Sequence, residues 1–382
     1  MKLALCSMAS VKQATIQLRY DPAYIYDTLG HRSRPELIKL TIVRSSIHLD
    51  TYNDQMGGEN KEAAALVRKI AGLHAAISKL PSLSPSPEAD ALFTALVALC
   101  APPSAAVDVA ALGPRARRMR ADLVRLCADA EARLEAHCSD ALAALDAPLD
   151  HLRLFPYHDS YVRLGELEHA LLSRHAPDHL AVPARVAFLG SGSLPLSALL
   201  LAARHMPDAA VDCFDRCGAA NERARRLLLR GNDAGVAARM SFRTADVEGL
   251  THELAAYDVV FLAAPVGITL EEKARVIAHL GRHMAAGAAL VVRSAHGARG
   301  FLCPVVEPAE VRRGGFQVLA VHHPDSAEMV YSVIVARKGY LELVPPVVSP
   351  PCNCCQVEKA RSSVPSTSCH LDAMDEIRRR AW

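Results

Sequence analysis

The segment Val186–Ser197, VAFLGSGSLPLS, constrains the fold more than any other part of this 382-residue chain. Four apolar residues end at a Gly-Ser-Gly turn, and an Ala/Leu-rich helical run through His205 follows. A short buried strand, a glycine turn and a helix form the start of a nucleotide-binding βαβ unit. Glycines let the backbone pass close to a ligand, and the helix N-terminus offers unpaired N–H groups. Pro195 stands where the dinucleotide fingerprint has its third glycine, which weakens an NAD interpretation.

The composition excludes some classes of partner. Lys+Arg 43 against Asp+Glu 41 gives a formal charge of +2, so we expect no nucleic-acid partner. No apolar run reaches the roughly 18–20 residues needed to cross a bilayer, so we expect no membrane span. The eleven cysteines show no disulfide-framework spacing in a chain of this length, which favours reduced thiols and a cytoplasmic protein.

The hydrophobic pattern divides the chain into four parts. Residues 1–57 show no sustained period and are predicted to be a poorly structured extension. Residues 58–182 repeat apolar side chains every three or four positions, which predicts an N-terminal helical bundle. Residues 183–339 alternate strands and helices, as in an α/β domain. Residues 340–382 are rich in Cys, Ser and Pro and predict a disordered tail.

Short apolar runs in 183–339 predict a Rossmann-like α/β fold. The last two strands are expected to pair as a hairpin, completing a seven-stranded mixed sheet with one antiparallel edge. The predicted strands are Val186–Leu189, Ala210–Phe214, Met240–Thr244, Asp258–Ala263, Ala289–Arg293, Phe316–Val321 and Val330–Ala336.

Several side chains fall at the carboxyl ends of these strands, where open α/β sheets bind ligands. Asp215 could accept both ribose hydroxyls of an adenosine, or it could be a helix N-cap or loop acid. Asp246 follows the third strand, where such folds hold an adenine ring, and a plain loop acid is the alternative. Leu262–Ala263 ends the fourth strand. Arg293 could take a carboxylate in a bidentate fork, or it could be a surface residue at a strand end.

Four polar residues of the helical part are candidates for acid–base chemistry. Glu131 lies close to the apolar stripe of the third predicted helix, which runs from about Pro114 to Leu145, and Glu135 lies at its margin. Solvation at the surface is the ordinary interpretation of such glutamates. A glutamate in a dry pocket could instead take a proton from an ammonium group, and Tyr157 or Tyr161 could position the resulting amine.

Other motifs receive a simpler interpretation. His279 and His283 have the i,i+4 spacing of metal ligands but no third ligand, so we interpret them as exposed helix histidines. The cysteines of Cys352–Cys355 lack the wider pairing of a zinc site, so no metal is predicted. The segment YVRL (Tyr161–Leu164) resembles a tyrosine-type sorting signal of vesicle-associated proteins, and the start of an amphipathic helix explains it equally well.

From about Leu66 to Lys338 the chain resembles the plant-type nicotianamine synthases without a large gap. The resemblance rests on collinear segments that include ISKLPSLSPSPEADALFTALVALCAPP, LCADAEARLEAHCSDALAALDAPLDHLRLFPYHDSYVRLGELE, VAFLGSGSLPLS and EEKARVIAHLGRHMAAGAALVVRSAHGARGFLCPVVEP. It implies a helical bundle capping a Rossmann-like domain that binds S-adenosylmethionine as a substrate, with no metal in the enzyme. The 3-amino-3-carboxypropyl group is transferred to an amine. Three S-adenosylmethionine molecules give nicotianamine and three 5′-methylthioadenosines, and the product chelates iron, zinc, copper and nickel.

The resemblance also implies roles for particular residues. A glutamate of the bundle and a tyrosine of the FPY segment are expected to hold the acceptor amine. The catalytic candidates are Glu131 or Glu135 with Tyr157 or Tyr161, and Glu131 is favoured by its helix face. The candidates for binding S-adenosylmethionine are Gly190, Ser191, Gly192, Asp215, Asp246, Leu262, Ala263 and Arg293.

Departures from the family pattern leave alternatives open. They are Ser193 in GSGSLPL, Pro265 in LAAPVG, Asp159-Ser160 in FPYHDSY, Cys303 in FLCP and Tyr331 in VYSV. Pro265 and Asp159-Ser160 are expected to border the site. One alternative is a small-molecule methyltransferase that uses S-adenosylmethionine, and another is a catalytically impaired paralogue. A homo-oligomer stays open as a further partner of the chain.

Overall fold

The computed structural model describes residues 58–103, 107–179 and 184–339. The extension 1–57 and the tail 340–382, with Cys352–Cys355, lie outside the described residues, and the expectations for them stay predictions.

Helices dominate the first part of the described chain and alternate with strands in the second. No helix among the described residues has the length and apolarity that a membrane crossing requires. The α-helices are α1 (Gly58–Ile77), α2 (Pro87–Cys100), α3 (Pro114–Leu142), α4 (His158–His175), α5 (Leu196–Leu200), α6 (Gly218–Arg230), α7 (Ala234–Arg239), α8 (Leu270–His283) and α9 (Pro308–Arg313). Short 3-10 helices are Pro148–Leu154, Pro177–His179, Val247–Gly249, His252–Ala256 and Gly297–Phe301, and a π-helical turn, Leu201–His205, continues α5.

The helix ends follow the local sequence. The Ser86 hydroxyl accepts the backbone N–H of Ala89 at 3.2 Å, so Ser86 caps α2, and Pro87 occupies the first turn, where no N–H partner is needed. Helix α3 ends at Leu142, three residues before the predicted end at Leu145.

The strands form one seven-stranded sheet, which confirms the predicted Rossmann-like fold. The order is β3-β2-β1-β4-β5-β7-β6, with the first five strands parallel and β7 antiparallel to both of its neighbours. The last two strands are therefore the predicted antiparallel edge. The strands are β1 (Arg185–Leu189), β2 (Ala210–Asp215), β3 (Met240–Thr244), β4 (Val259–Leu262), β5 (Ala289–Ser294), β6 (Phe316–His322) and β7 (Ser332–Lys338).

The helical part and the sheet share their hydrophobic cores. Ile70, Leu96 and Leu123, from α1, α2 and α3, pack in one cluster with Phe301, which follows β5. The Arg120 side chain of α3 donates from Nε to the carbonyl of Gly300 at 2.8 Å. On α6, Arg223 and Arg226 form ion pairs with an aspartate of α3. The helices thus pack directly against loops and helices of the α/β part. A boundary between two domains at 182/183 stays a prediction.

The shared core predicts a large effect of one leucine substitution. Leu96 is 0% exposed, so Leu96→Ala should lower the free energy of unfolding by about 2–5 kcal/mol through lost burial and the cavity left behind. Leu229→Ala is the matched control, because Leu229 is also helical but 73% exposed. Denaturant unfolding of both variants measures the difference. Equal losses in the two variants would contradict this account of the core.

Candidate active site

A cavity of about 620 Å³ lies between the carboxyl edge of the sheet and helix α3. Strands β1, β2, β4 and β5 bring their ends to this edge, and the loop after β3 joins them. Helix α3 forms the opposite wall, together with Tyr161 of α4. The site residues predicted from the sequence that line the cavity are Glu131, Glu135, Tyr161, Gly190, Ser191, Gly192, Asp215, Asp246, Ala263 and Arg293.

The Gly-Ser-Gly turn after β1 needs glycine for two reasons. Gly190 and Gly192 have φ values of 81° and 70°, which side chains rarely adopt. A Cβ atom on Gly190 would also clash with Val266, and one on Gly192 would clash with the carboxylate of Glu135. The turn therefore allows a helix α3 carboxylate to reach the backbone beside the cavity.

Asp215 closes the turn from the end of β2. Its Oδ2 accepts the N–H of Gly192 at 3.0 Å, and its Oδ1 accepts the N–H of Cys217 at 2.8 Å. Each carboxylate oxygen can accept a second hydrogen bond, so the group can still receive two hydroxyls from a ligand in the cavity. The remaining acceptor positions of Asp215 fit the two hydroxyls of an adenosine ribose. The two backbone hydrogen bonds also show that Asp215 organises the loop.

Asp246 lines the cavity and also caps the 3-10 helix Val247–Gly249. Its Oδ1 accepts the N–H of Glu248 at 3.0 Å. Both interpretations of Asp246, loop acid and ligand contact, are thus compatible with its place.

Leu262 is a correction to the expected binding residues. Side chains alternate along β4, so Phe261 and Ala263 belong to one hydrophobic core and Leu262 to the other. Leu262 is fully buried against α8, packed with Val276 and Leu280, and does not line the cavity.

Glu131 forms the centre of a hydrogen-bonded group on the cavity wall. Its Oε1 accepts the hydroxyl of Tyr161 at 2.8 Å and the hydroxyl of Tyr331 at 3.3 Å. Burial raises the pKa of Glu131, while the two phenols and the charge of Arg293 oppose that rise. A carboxylate with a raised pKa is suited to receive a proton from an ammonium group.

Glu135 lies one turn further along α3 and faces the glycine turn. Its Oε2 accepts the N–H of Ser193 at 3.2 Å. Burial raises the pKa of Glu135 well above its ordinary value, and the negative charges of Glu131 and Asp215 add to the rise. Both candidate glutamates therefore face the cavity, and neither points into open water.

The structure separates the two candidate tyrosines. Tyr161 reaches Glu131, whereas Tyr157 packs edge-on against Phe155 at 5.7 Å between ring centres and does not line the cavity. The position of Tyr161 also bears on YVRL, because the Leu164 side chain is buried. The start of an amphipathic helix is therefore the interpretation of YVRL that the fold favours.

Tyr161 and Tyr157 form a matched pair for mutation. Tyr161→Phe removes a hydrogen bond to an acidic group, a loss of about 1.5–3 kcal/mol, so turnover should fall about 10- to 100-fold. Tyr157→Phe should leave turnover close to that of the wild type. Steady-state rates of both variants make the comparison, and a greater loss in Tyr157→Phe would show that the wrong tyrosine has been chosen.

Arg293 is neither a surface residue nor an open fork. Its Nε and one terminal nitrogen donate to the two carboxylate oxygens of Glu168, at 2.7 and 2.9 Å. The same nitrogen donates to the hydroxyl of Ser197 at 2.9 Å. The expected bidentate carboxylate is thus part of this chain, which corrects the expectation that Arg293 forks onto a ligand.

The interpretation of His279 as an exposed helix histidine is wrong. His279 is buried, and its Nε2 lies 2.5 Å from the carbonyl of Leu250. No group of three or more potential metal ligands occurs within 58–103, 107–179 and 184–339. Pro265 lines the cavity as expected, but Asp159 and Ser160 do not.

Three further residues act at the cavity or beside it, and no sequence pattern assigns them a role there. Tyr331 lines the cavity, whereas Glu168 does not line it and instead holds Arg293. Both reach the site only because distant elements meet there. Lys273 of α8 is fully buried and donates to the carbonyls of Ala263 and Ala264, at 3.3 and 2.8 Å. Burial lowers the pKa of Lys273 to about 7. Lys273 thus holds the loop that follows β4.

Comparison with known proteins gives one consistent result. The family model described as "Nicotianamine synthase protein" matches residues 58–342. Nicotianamine synthase 2 of Oryza sativa subsp. japonica is 64% identical over 315 residues, covering 80% of this chain and 95% of the relative. Nicotianamine synthase 9 of Hordeum vulgare is 68% identical over 277 residues, covering 72% of this chain and 80% of the relative.

Solved structures resemble the chain in fold. The crystal structure of MtNAS in complex with MTA and tNA has a TM-score of 0.58 at 18% identity, covering 75% of this chain and all of that one. A mutant of MtNAS in complex with S-adenosylmethionine has a TM-score of 0.54 at 18% identity with the same coverage.

Proposed function

The chain belongs to the nicotianamine synthase family, and we propose that it condenses three S-adenosylmethionine molecules by 3-amino-3-carboxypropyl transfer. Nicotianamine and three molecules of 5′-methylthioadenosine are the products, so the protein supplies a metal chelator for iron, zinc and copper homeostasis. The observation that carries the proposal is the placement of Glu131 and Tyr161 in the same cavity as the Gly-Ser-Gly turn and Asp215. No metal takes part in the proposed chemistry.

The cavity determines which of the three carbons attached to the sulfonium sulfur of S-adenosylmethionine reacts. A sulfonium activates every carbon attached to its sulfur, so the placement of the acceptor amine decides which group moves. An amine held at Glu131 and presented to the aminocarboxypropyl arm leads to transfer of that arm. An ordinary methyltransferase presents its acceptor to the methyl carbon and has no need of a buried glutamate and tyrosine at this place.

The transfer step requires a free amine. An α-ammonium group titrates near pH 8, so at neutral pH a base must accept a proton before the nitrogen can attack. We assign that role to Glu131. The nitrogen lone pair forms a bond to the γ-carbon of the arm, the carbon–sulfur bond breaks, and its electron pair stays on sulfur in the neutral thioether. Glu131 holds the released proton.

The two phenols leave one oxygen of Glu131 better placed for the amine. The hydroxyls of Tyr161 and Tyr331 approach Oε1 most closely, while the nearest phenol to Oε2 is that of Tyr331 at 3.5 Å. Oε2 is therefore the proposed proton acceptor, and the Tyr161 oxygen can receive a hydrogen bond from the same amine. Glu135, bound by the glycine turn, is proposed to fix the loop against α3.

The adenosyl part of the substrate is assigned to the sheet edge. We propose that the ribose binds Asp215 and that the adenine lies beside Asp246 and Ala263. The amino-acid part of the substrate then passes Gly190, Ser191 and Gly192. Unfilled acceptor positions on Asp215 and the close backbone approach at the turn support this placement. A cytoplasmic location and a homo-oligomeric state remain predictions of the sequence.

Identification of the adenosyl product tests the proposed function. Purified protein is incubated with S-adenosylmethionine and the products are analysed by mass spectrometry. We expect 5′-methylthioadenosine and nicotianamine in a ratio of three to one. S-adenosylhomocysteine would identify a methyltransferase, and tight binding without either product would identify an impaired paralogue in which Pro265 deforms the cavity wall.

A further inference from the structure

The ion pair between Glu168 and Arg293 is buried more deeply than the catalytic group it adjoins. Glu168 of α4 is 2% exposed and Arg293 of β5 is 4% exposed. Glu168 does not line the cavity, whereas Arg293 does. The two hydrogen bonds between them, at 2.7 and 2.9 Å, occupy one edge of the guanidinium fork.

Arg293 lies beside the tyrosine that holds the proposed base, and it lines the same cavity as Glu131. Its guanidinium carbon is 5.9 Å from the ring centre of Tyr161 and 5.3 Å from that of Phe188. The positive charge of Arg293 acts on Glu131 and opposes the burial that raises the pKa of Glu131. It acts in the same sense on Tyr161 and Tyr331, whose pKa values burial raises.

A buried ion pair contributes little to the stability of a folded protein. Removing two charges from water costs as much as their attraction returns, and apolar residues of equal volume often serve as well or better. The position of the pair beside the cavity therefore calls for another explanation. An arginine without Glu168 would be an unpaired buried charge, and Glu131 would be an available carboxylate nearby.

We propose that Glu168 is a positioning residue that occupies the fork of Arg293 and so keeps Glu131 from being captured in an ion pair. The charge of Arg293 then acts on Glu131 across space, and the lone pairs that accept the amine's proton stay free. This inference rests on the proposed function, in which Glu131 is the base.

The other groups around Glu131 cannot replace Glu168 in this role. Tyr161, Tyr331 and the thiols of Cys127 and Cys303 are neutral near pH 7. The Oε2 atom of Glu135 accepts the N–H of Ser193 instead of a nitrogen of Arg293. Glu168 is the carboxylate that holds both an Nε and a terminal nitrogen of Arg293.

Glu168→Gln tests the proposal by a readout that does not need turnover. The carboxyl carbon of Glu131 is followed by ¹³C NMR through a pH titration and assigned by its absence in Glu131→Gln. When Arg293 turns to Glu131, the ionised carboxylate gains an opposite charge, so its titration midpoint should fall by about one to three pH units. Glu131 is then a weaker base, so turnover should drop about tenfold or more. An unchanged midpoint would overturn the proposal.

Two further variants keep the test decisive if Glu168→Gln folds poorly. Glu168→Asp keeps the negative charge and should retain a midpoint close to that of the wild type. The double variant Glu168→Met, Arg293→Met removes both charges at similar volume, so the midpoint of Glu131 should rise instead of falling. A fall or no change in the double variant would contradict the proposal.

Glu166→Gln is the matched control. Glu166 lies on the same helix at an exposed position, so this variant should leave the titration midpoint of Glu131 unchanged. If the wild type forms no 5′-methylthioadenosine, the proposed function fails, yet the movement of the Glu131 midpoint in Glu168→Gln still reports whether Glu168 restrains Arg293.

Discussion

Glu131→Gln should lower the rate of 5′-methylthioadenosine release by about 10²- to 10⁴-fold, the usual contribution of a general base. The amide keeps the shape of the side chain and an oxygen that can accept the hydroxyl of Tyr161, but it cannot take a proton from an ammonium group. The affinity for S-adenosylmethionine should change little, because the adenosyl part is assigned to the opposite wall. Single-turnover rates with equilibrium binding measure the two effects separately.

Glu135→Gln is the discriminating control for this prediction. Glu135 shares the cavity and also has a raised pKa, but its Oε2 is engaged by the N–H of Ser193. An amide oxygen can accept the same hydrogen bond, so the loss of rate should be much smaller than in Glu131→Gln. A reversed order of the two variants would assign the base to Glu135.

The stability of Glu131→Gln should move in the opposite direction to its activity. The pKa of Glu131 is raised in the folded state, so the folded protein retains this proton at pH values where the unfolded chain has lost it. Stability therefore falls as pH rises from the unfolded pKa through the folded one. Glutamine removes that loss, and the melting temperature at neutral pH should rise. An inactive variant with a lowered melting temperature would instead point to a damaged fold.

The parallel strands could be predicted well because burial on both faces leaves continuous apolar runs in the sequence. The strand Met240–Thr244 has the predicted bounds, and the hairpin at the sheet edge is where it was expected. Glu131 could be placed toward the interior because α3 is long enough for its apolar stripe to define a face.

Other parts of the site depend on contacts between distant segments. The choice of Tyr161 over Tyr157 depends on how α4 enters from the turn at Pro148–Leu154, which periodicity does not specify. Glu168 and Arg293 are 125 positions apart, so no local pattern shows that they pair. The position of Arg293 at a strand end indicates a carboxylate partner, but only the fold shows that this carboxylate is Glu168.

Asp215→Ala should weaken the binding of S-adenosylmethionine by about 10²- to 10⁴-fold. The variant loses the two charge-assisted hydrogen bonds proposed to the ribose, each contributing about 1.5–3 kcal/mol, and about 1.4 kcal/mol corresponds to a tenfold change in Kd. The N–H groups of Gly192 and Cys217 also lose their acceptor, so the turn becomes less ordered. Both effects weaken binding of the substrate, whereas the Glu131 base is unchanged.

Calorimetric titration with S-adenosylmethionine measures the loss in Asp215→Ala, and rates at saturating substrate separate binding from the chemical step. Asp215→Asn keeps one carbonyl acceptor and should fall between Asp215→Ala and the wild type. Asp208→Ala is the control, because Asp208 is exposed in the turn before β2 and lies outside the cavity. An unchanged Kd in Asp215→Ala would contradict the proposed ribose site at the end of β2. The proposed orientation of the sulfonium toward Glu131 depends on that ribose site and would then also be wrong.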